Sequence, residues 1–105
     1  MHVILWEFAA RPGAEEEFEL RYGPNGVWGD FFRQGQGYIG TELLRDPGEK
    51  GRYITVDRWT SREAFEDFRT SHLEEYKSID RECEQLTESE ILLGSFDSIE
   101  SRDRK

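Results

Sequence analysis

A strand that runs directly into a helix, between Gly51 and Cys83, constrains this chain more than any other segment. Alternation along the strand puts bulky side chains on both faces, with Tyr53, Thr55, Asp57 and Trp59 on one side and Ile54 and Val56 on the other. Thr60, with Glu63 three residues later, predicts a helix N-cap at Thr60. Steps of three and four residues then predict one continuous helix whose apolar stripe comprises Phe65, Phe68, His72, Tyr76, Ile79, Cys83 and Leu86.

The length and charge limit the size of the fold and the class of partner. A chain of 105 residues is long enough for one domain with one modest core. Only 35% of the residues are hydrophobic, but 13% are aromatic, so large rings supply much of the buried area. The net charge of -9 opposes binding to nucleic acid or to an anionic membrane surface. We therefore expect neither as a partner.

The single cysteine and the N-terminal residues bear on the cellular compartment. Cys83 lies on the apolar stripe of the long helix, which favours a small core residue over a reactive thiol. One cysteine permits no intrachain disulfide framework. The first apolar run is short and is interrupted by Glu7, unlike a signal peptide or a membrane span. These features predict a cytoplasmic protein.

The sequence shows no pattern typical of a cofactor site. His2 and His72 lie far apart, and the carboxylates are scattered without the spacing of metal ligands. Gly23, Gly26 and Gly29 follow a helical segment, whereas a phosphate-binding turn follows a strand. We expect no metal, flavin or nicotinamide.

The order of the elements predicts the fold class. The expected elements are a strand from His2 to Ala10, a helix from Ala14 to Tyr22, a short helical piece from Val27 to Phe32, strands at Tyr38 to Arg45 and from Arg52, the long helix, and a strand from Glu90 to Phe96. Asp46-Pro47-Gly48 predicts a hairpin between the second and third strands. In the second strand, Ile39, Thr41 and Leu43 are expected to face away from Tyr38. The order is β-α-β-β-α-β, an α+β ferredoxin-like antiparallel sheet with its helices on one side.

This arrangement leaves one face of the sheet without helices, although each strand carries apolar groups on both faces. An exposed apolar patch of that extent is unusual for a monomer. We therefore predict a homodimer in which a second copy covers the open face and gives a dimeric α/β barrel with a lined cavity. Residues 1–97 form the predicted domain, and residues 98–105 form a polar C-terminal tail.

From Val3 to Phe96 the chain resembles the antibiotic biosynthesis monooxygenase family, whose members are small dimeric α+β barrel proteins. The resemblance is carried mainly by RYITVDRWTSREAFEDFRTSHLEEY, a strand that ends in Trp59 and is followed by a polar cap, Ala64 and Ser71. The segment GYIGTELLRD is similar to the family's second strand. The family includes quinone-forming oxygenases that need no cofactor, haem-degrading relatives and many members of unknown role, so the resemblance specifies the fold more closely than the activity.

Individual positions distinguish between these branches. Family helices often carry two histidines, and here the first position reads Phe68, while His72 lies one residue before the second. The haem-degrading branch uses a strand-one asparagine, a helical tryptophan and an axial histidine. This chain has Trp6, Glu7 and Phe8 in that strand, Phe68 at the tryptophan position and Ser78 at the histidine position. The resemblance therefore favours cofactor-independent oxygenation of a small aromatic or polyketide-like substrate.

Such a reaction needs an aromatic cavity, groups that favour the phenolate, and exclusion of water. The predicted substrate-binding residues are Trp28, Phe32, Tyr38, Tyr53 and Trp59. The predicted proton-handling residues are Asp57, His72 and Tyr76. Structural roles are open alternatives: Trp59 and Tyr76 as core residues, His72 as a hydrogen-bonded interior residue, and Asp57 as the partner of Arg52, Arg58 or a base on a second chain. A ligand-binding or stress-response protein without catalytic activity would use the same cavity.

Overall fold

The computed structural model describes residues 1–99 and shows a four-stranded antiparallel sheet with the strand order β2-β3-β1-β4. The strands are β1 (His2–Ala10), β2 (Tyr38–Arg45), β3 (Arg52–Trp59) and β4 (Thr87–Asp97). The helices are α1 (Glu15–Tyr22), α2 (Val27–Phe32), α3 (Arg62–Ser71) and α4 (Leu73–Cys83), followed by a 3₁₀ turn at Glu84–Leu86. This is the predicted ferredoxin-like α+β fold. Residues 100–105, which belong to the predicted tail, lie outside the described residues.

One face of the sheet packs against the helices and contains the core. Even-numbered residues of β1, among them Ile4 and Phe8, are buried there beside Tyr53 and Trp59 of β3. The helices contribute buried residues to the same cluster: Phe18, Tyr22, Trp28, Phe31, Phe32, Phe68, Ile79 and Cys83. Cys83 is fully buried, in agreement with its place on the apolar stripe. Alternation along β1 and β3 therefore sorted the side chains as the sequence predicts.

The predicted long helix is wrong in two details. The helix begins one residue later than expected, because Ser61 is the N-cap and its Oγ accepts from the Ala64 N–H at 3.0 Å. The Thr60 N–H instead donates to the Gly37 carbonyl at 2.7 Å and extends the pairing beyond β3. The helix is also interrupted at His72, whose φ of -122° and ψ of 32° end α3 and precede α4.

An irregularity in β2 overturns the predicted division of its faces. Pairing with β3 shifts register between Tyr38 and Gly40, so Ile39 is bulged out and is 51% exposed. A bulge of one residue reverses the alternation on its far side. Tyr38 and Thr41 therefore lie on the same, helix-covered face, as their hydrogen bond shows. The strand itself has the predicted bounds, whereas β4 begins at Thr87 rather than at Glu90.

The other face of the sheet carries no helix. The strand register places Val3 and Leu5 of β1 there, paired with Phe96 and Gly94 of β4. Leu44, Ile91 and Phe96 on this face are each about half exposed, at 47%, 51% and 53%. Arginine and carboxylate pairs border the apolar part: Arg52 with Glu7 and Asp46, and Arg58 with Glu42. We call this surface the open face.

Candidate functional site

A cavity of about 170 Å³ lies between the helix-covered face of the sheet and the helices. Each of the four strands and each α-helix contributes to its wall. The aromatic part of the wall consists of Trp6, Phe8, Tyr22, Trp28, Phe32 and Tyr76. The polar part consists of Thr41, Thr55, Asp57, Arg69, Asp80 and Glu90. The cavity is therefore mainly aromatic, with charged groups at defined places.

Asp57 is the acidic group that β3 directs into this cavity. Its Oδ1 accepts a hydrogen bond of 2.6 Å from the Thr41 hydroxyl on the neighbouring strand. Burial raises the pKa of Asp57 to about 6, and the bond from Thr41 opposes the rise only in part. Arg52 and Arg58, the expected alternative partners, instead pair with carboxylates of the open face. Asp57 therefore has no cationic partner among residues 1–99.

The hydroxyl groups of Tyr38 and Thr41 form a short hydrogen-bonded chain that ends at Asp57. The Tyr38 hydroxyl lies 2.6 Å from Oγ1 of Thr41. Because Thr41 donates its single hydrogen to Asp57, Tyr38 must be the donor in this second bond. The bulge in β2 makes the chain possible, since it brings Tyr38 to the same face as Thr41. Tyr38 thus touches the cavity only indirectly, through Thr41.

Tyr76 and Arg69 form the helical side of the cavity. Burial raises the pKa of the Tyr76 hydroxyl above its ordinary value, and the Arg69 charge offsets part of that rise. The guanidinium carbon of Arg69 lies 5.2 Å from the centre of the Tyr76 ring, a cation-π contact. The Trp28 ring meets the Tyr76 ring edge to face, with 5.2 Å between their centres. These contacts fix the phenol of Tyr76 in the wall.

Asp80 and Glu90 are the remaining acidic groups of the wall, from α4 and β4. Glu90 is exposed and Asp80 is half-buried, so they lie where the cavity meets solvent. Burial raises the pKa of both carboxyl groups, and the nearby charge of Glu84 adds to the rise for each. Neither has a salt-bridge partner within residues 1–99. We call Asp80 and Glu90 the acidic mouth.

The indole of Trp28 contributes its ring to the cavity wall, while its N–H is buried. Trp28 is 9% exposed, and its Nε1 is buried without a hydrogen-bond partner within the described part of the chain. Tyr22, which also lines the cavity, lies near enough for this N–H to offset a small part of the large rise that burial causes in its pKa. A buried N–H without an acceptor is costly.

The other predicted site residues lie away from the cavity wall. Trp59 is fully buried and packs among aromatic rings, with 5.3 Å to the centre of Tyr38 and 5.4 Å to that of Phe68. Tyr53 stacks on Phe18, and its hydroxyl donates to Glu19 Oε2 at 2.6 Å. The contacts of both residues are those of structural side chains. Their predicted roles in substrate binding stay predictions.

His72 lies at the break between α3 and α4, outside the cavity. Its ring stacks on Phe68 with 4.3 Å between centres, and its Nδ1 donates to the Phe68 carbonyl at 3.1 Å. The imidazole borders a separate polar surface groove with Gln36 and Ser61. In this position His72 completes the end of α3 and does not face Asp57.

Sequence reasoning missed eight of the wall residues. They are Trp6, Phe8, Tyr22, Thr41, Thr55, Arg69, Asp80 and Glu90. The helical positions had a usable signal, because Arg69, Tyr76 and Asp80 are spaced by seven and four residues and share one side of a nearly continuous helix. Glu90 had none, since its position depends on its pairing with Phe8 across the sheet.

Residues 1–99 contain neither a metal-binding cluster nor a membrane-spanning helix. No group of three or more His, Cys, Asp or Glu side chains there is arranged to hold a metal ion. No helix in the same part of the chain is long and apolar enough to cross a membrane.

Comparison with known proteins settles the family. The family model for antibiotic biosynthesis monooxygenases matches residues 1–80. This chain belongs to that family. No curated protein matches the chain.

Solved structures of other proteins have the same fold. SnoaB, a cofactor-independent oxygenase from Streptomyces nogalater, is 18% identical with a TM-score of 0.66, over 95% of this chain and 94% of SnoaB. A candidate antibiotic biosynthesis monooxygenase from Deinococcus radiodurans is 13% identical with a TM-score of 0.74, over 100% and 99% of the two chains. The heme-degrader MhuD from Mycobacterium tuberculosis is 21% identical with a TM-score of 0.65, over 98% and 100%. At these identities the similarity shows the fold alone.

Proposed function

We propose that this family member is a cofactor-independent monooxygenase that oxidises a small phenol or hydroquinone bound in the aromatic cavity. The observation that carries the proposal is Asp57, a carboxylate without a cationic partner in an aromatic cavity, whose pKa is raised to about 6. A base is most effective when its pKa lies near the working pH. Asp57 is mostly ionised at neutral pH and is therefore suited to accept a phenolic proton.

The reaction balances without an external reductant. Asp57 takes the proton of the substrate hydroxyl, and the resulting phenolate transfers one electron to O2. The phenoxyl radical and superoxide then combine, and a new carbon–oxygen bond forms on the ring. Asp57 returns its proton to the resulting peroxide, and loss of the ring hydrogen at that carbon with cleavage of the O–O bond releases water and leaves a quinone. One oxygen atom thus enters the product and the other leaves in water. The substrate supplies all the electrons.

The other wall residues have matching roles. Thr41 and Tyr38 hold the Asp57 carboxylate in one orientation, because each hydroxyl donates toward it along the chain. The rings of Trp6, Trp28 and Phe32 contact the substrate ring and exclude water from the radical pair. The protein thus contributes binding, proton transfer and a dry environment.

The volume of the cavity favours a small substrate over a polyketide-sized one. Pockets for drug-sized ligands occupy roughly 300–1,000 Å³. An engineered apolar cavity of about 150 Å³ in another protein binds benzene. The cavity here, at about 170 Å³, therefore suits a single aromatic ring with small substituents. The same comparison disfavours haem as the substrate.

A homodimer completes the proposal. The open face exposes Leu44, Ile91 and Phe96 together, although the strands of a stable sheet rarely leave such a face in water. A second copy related by a two-fold axis places the same apolar surface against itself. The bordering arginine and carboxylate pairs then form the polar rim of the interface.

Oxygen uptake tests the proposal. Purified protein treated with a chelator is mixed with a panel of one-ring hydroquinones and phenols, and O2 consumption and quinone absorbance are recorded. The expected result is turnover that persists after chelation and is lost in Asp57→Asn. Ligands that bind without any O2 consumption would contradict the proposal and would identify a non-catalytic ligand-binding protein with the same cavity.

A further inference from the structure

Around the cavity, acidic side chains outnumber basic ones, and the one basic side chain already contacts an aromatic ring. Three carboxylates, Asp57, Asp80 and Glu90, belong to the wall, with Arg69 as the single cation. The Arg69 guanidinium already lies over the Tyr76 ring. The acidic mouth has no salt-bridge partner among residues 1–99, although many other acids of this chain do. The cavity therefore presents a negative electrostatic potential to a ligand.

The carboxylates of the acidic mouth are held close to other negative charge. The charge of Asp80 raises the pKa of the Glu90 carboxyl, and the charge of Glu84 raises the pKa of both. Mutual repulsion of this kind is relieved by a positive charge placed between the carboxylates. The net charge of -9 over the whole chain acts in the same direction, because it attracts cations and repels anions at long range.

The aromatic wall independently suits a ligand that carries a positive charge. Trp6, Tyr22, Trp28 and Tyr76 all border the cavity. Indole and phenol rings attract cations to their faces, and aromatic walls are a common way to bind ammonium groups. A neutral hydrocarbon would leave this attraction unused.

We propose that the ligand of this cavity is a phenolic amine: one aromatic ring, a hydroxyl group directed to Asp57, and an ammonium group held at Asp80 and Glu90. This inference rests on the proposed function for the site and adds the substrate class. Aromatic carboxylates are excluded, because they would bring a fourth negative charge to a wall with one cation that is already engaged by Tyr76.

Binding of three phenols that differ mainly in charge tests the inference. The probes are tyramine, 4-ethylphenol and 3-(4-hydroxyphenyl)propionate, which are cationic, neutral and anionic at neutral pH. Titration under argon, followed by the fluorescence of the cavity tryptophans, separates binding from oxygenation. Tyramine should bind about tenfold more tightly than 4-ethylphenol, and the propionate should bind most weakly. Raised salt should reduce these differences.

Variants assign the preference to the acidic mouth. Asp80→Asn combined with Glu90→Gln should weaken tyramine binding about tenfold and leave 4-ethylphenol within about twofold. Glu88→Gln is the matched control, because Glu88 is exposed on the same strand but does not line the cavity, and it should change neither affinity. Circular dichroism of each variant confirms that it is folded.

The outcomes separate this inference from the proposed function. Equal affinities for the three probes, or a preference that persists in the double variant, would overturn the inference while oxygenation of neutral phenols still stands. Tight tyramine binding without O2 uptake in air would support the ligand class and contradict the oxygenase. Absence of binding by all three probes would overturn the inference and remove one-ring phenols from the proposed substrates.

Discussion

Charged residues are paired with opposite charges on the open face of the sheet, whereas Asp57 on the covered face is not. On the open face, Arg52 bonds Glu7 and Asp46 at 2.9 and 2.8 Å, and Arg58 bonds Glu42 at 2.7 Å. On the covered face, Asp57 of the same strand receives only a hydroxyl. Paired surface charges contribute little to stability. An unpaired carboxylate beneath aromatic rings is costly, and its proton affinity becomes useful for chemistry.

The largest expected effect is on kcat, which should fall for a substitution on the covered face and not for one on the open face. Asp57→Asn removes the proposed base and should lower kcat for a one-ring phenol by on the order of 10²–10⁴-fold. Glu42→Gln removes a carboxylate from the open face and should leave kcat within about twofold. Steady-state O2 uptake measures both. Equal activity of wild type and Asp57→Asn would show that the proton is accepted elsewhere.

The next effect concerns the open face as an interface. Phe96→Glu places a charge in its exposed apolar surface and should raise the dimer dissociation constant by about 100-fold or more. Leu20→Glu is the matched control, because Leu20 is 67% exposed on α1, away from this face. Sedimentation velocity over a range of concentrations measures both variants. A monomeric wild type would contradict the dimer.

A smaller effect should appear in stability against pH. The folded protein raises the pKa of Asp57 to about 6 from its ordinary value of 3.8, so the folded state holds the proton more tightly than the unfolded chain. The contribution of Asp57 to the free energy of unfolding therefore falls as pH rises from about 4 to 6, by about 1–3 kcal/mol. Asp57→Asn should not show this fall in the free energy of unfolding, and it should be more stable than wild type at pH 7.

Urea unfolding of both proteins at pH 4 and pH 7 measures this difference. Asp80, Glu90 and Tyr76 also border the cavity and are present in both proteins, so the difference between them isolates Asp57. A variant that is less stable than wild type at pH 7 would show that the Asp57 carboxylate stabilises the fold. In the wild type, activity should rise with pH through about 6, as Asp57 ionises.

The smallest expected effect is on stability and concerns an ion pair of the open face. Glu42→Gln breaks the pair with Arg58 and should lower the free energy of unfolding by about 0–1 kcal/mol, because both partners remain partly exposed. The effect should shrink further in high salt. Chemical denaturation at two ionic strengths measures it. A loss of several kcal/mol would show that this pair is buried in the assembled protein.

Much of the fold followed from local patterns. The bounds of β2, the hairpin after Asp46-Pro47-Gly48 and the β-α-β-β-α-β order were all readable, because alternation, helical spacing and turn residues act over a few neighbours. The helix cap was misplaced by one residue, since Thr60 is tied to Gly37 in another segment. The break at His72 was also missed, because the apolar stripe continues through it.

The candidate site was less accessible from the sequence. Asp57, Tyr76, Trp28 and Phe32 line the cavity, while Tyr38 acts behind it through Thr41. Alternation predicts Tyr38 and Thr41 on opposite faces of β2. One bulged residue instead brings them to the same face as hydrogen-bonded neighbours. Periodicity cannot reveal a bulge, because the strand on either side of it remains regular.

The sequence by itself determined the element order, the aromatic core and the acidic character of the protein, because each depends on composition or on neighbours along the chain. Only the tertiary structure decided which charges find partners. Arg52 and Arg58 flank Asp57 in the sequence, yet alternation sends them to the open face, and packing brings Asp57 together with Asp80 and Glu90 from distant elements. Electrostatic environment depends on distances in space and on burial, and neither can be read along a single chain.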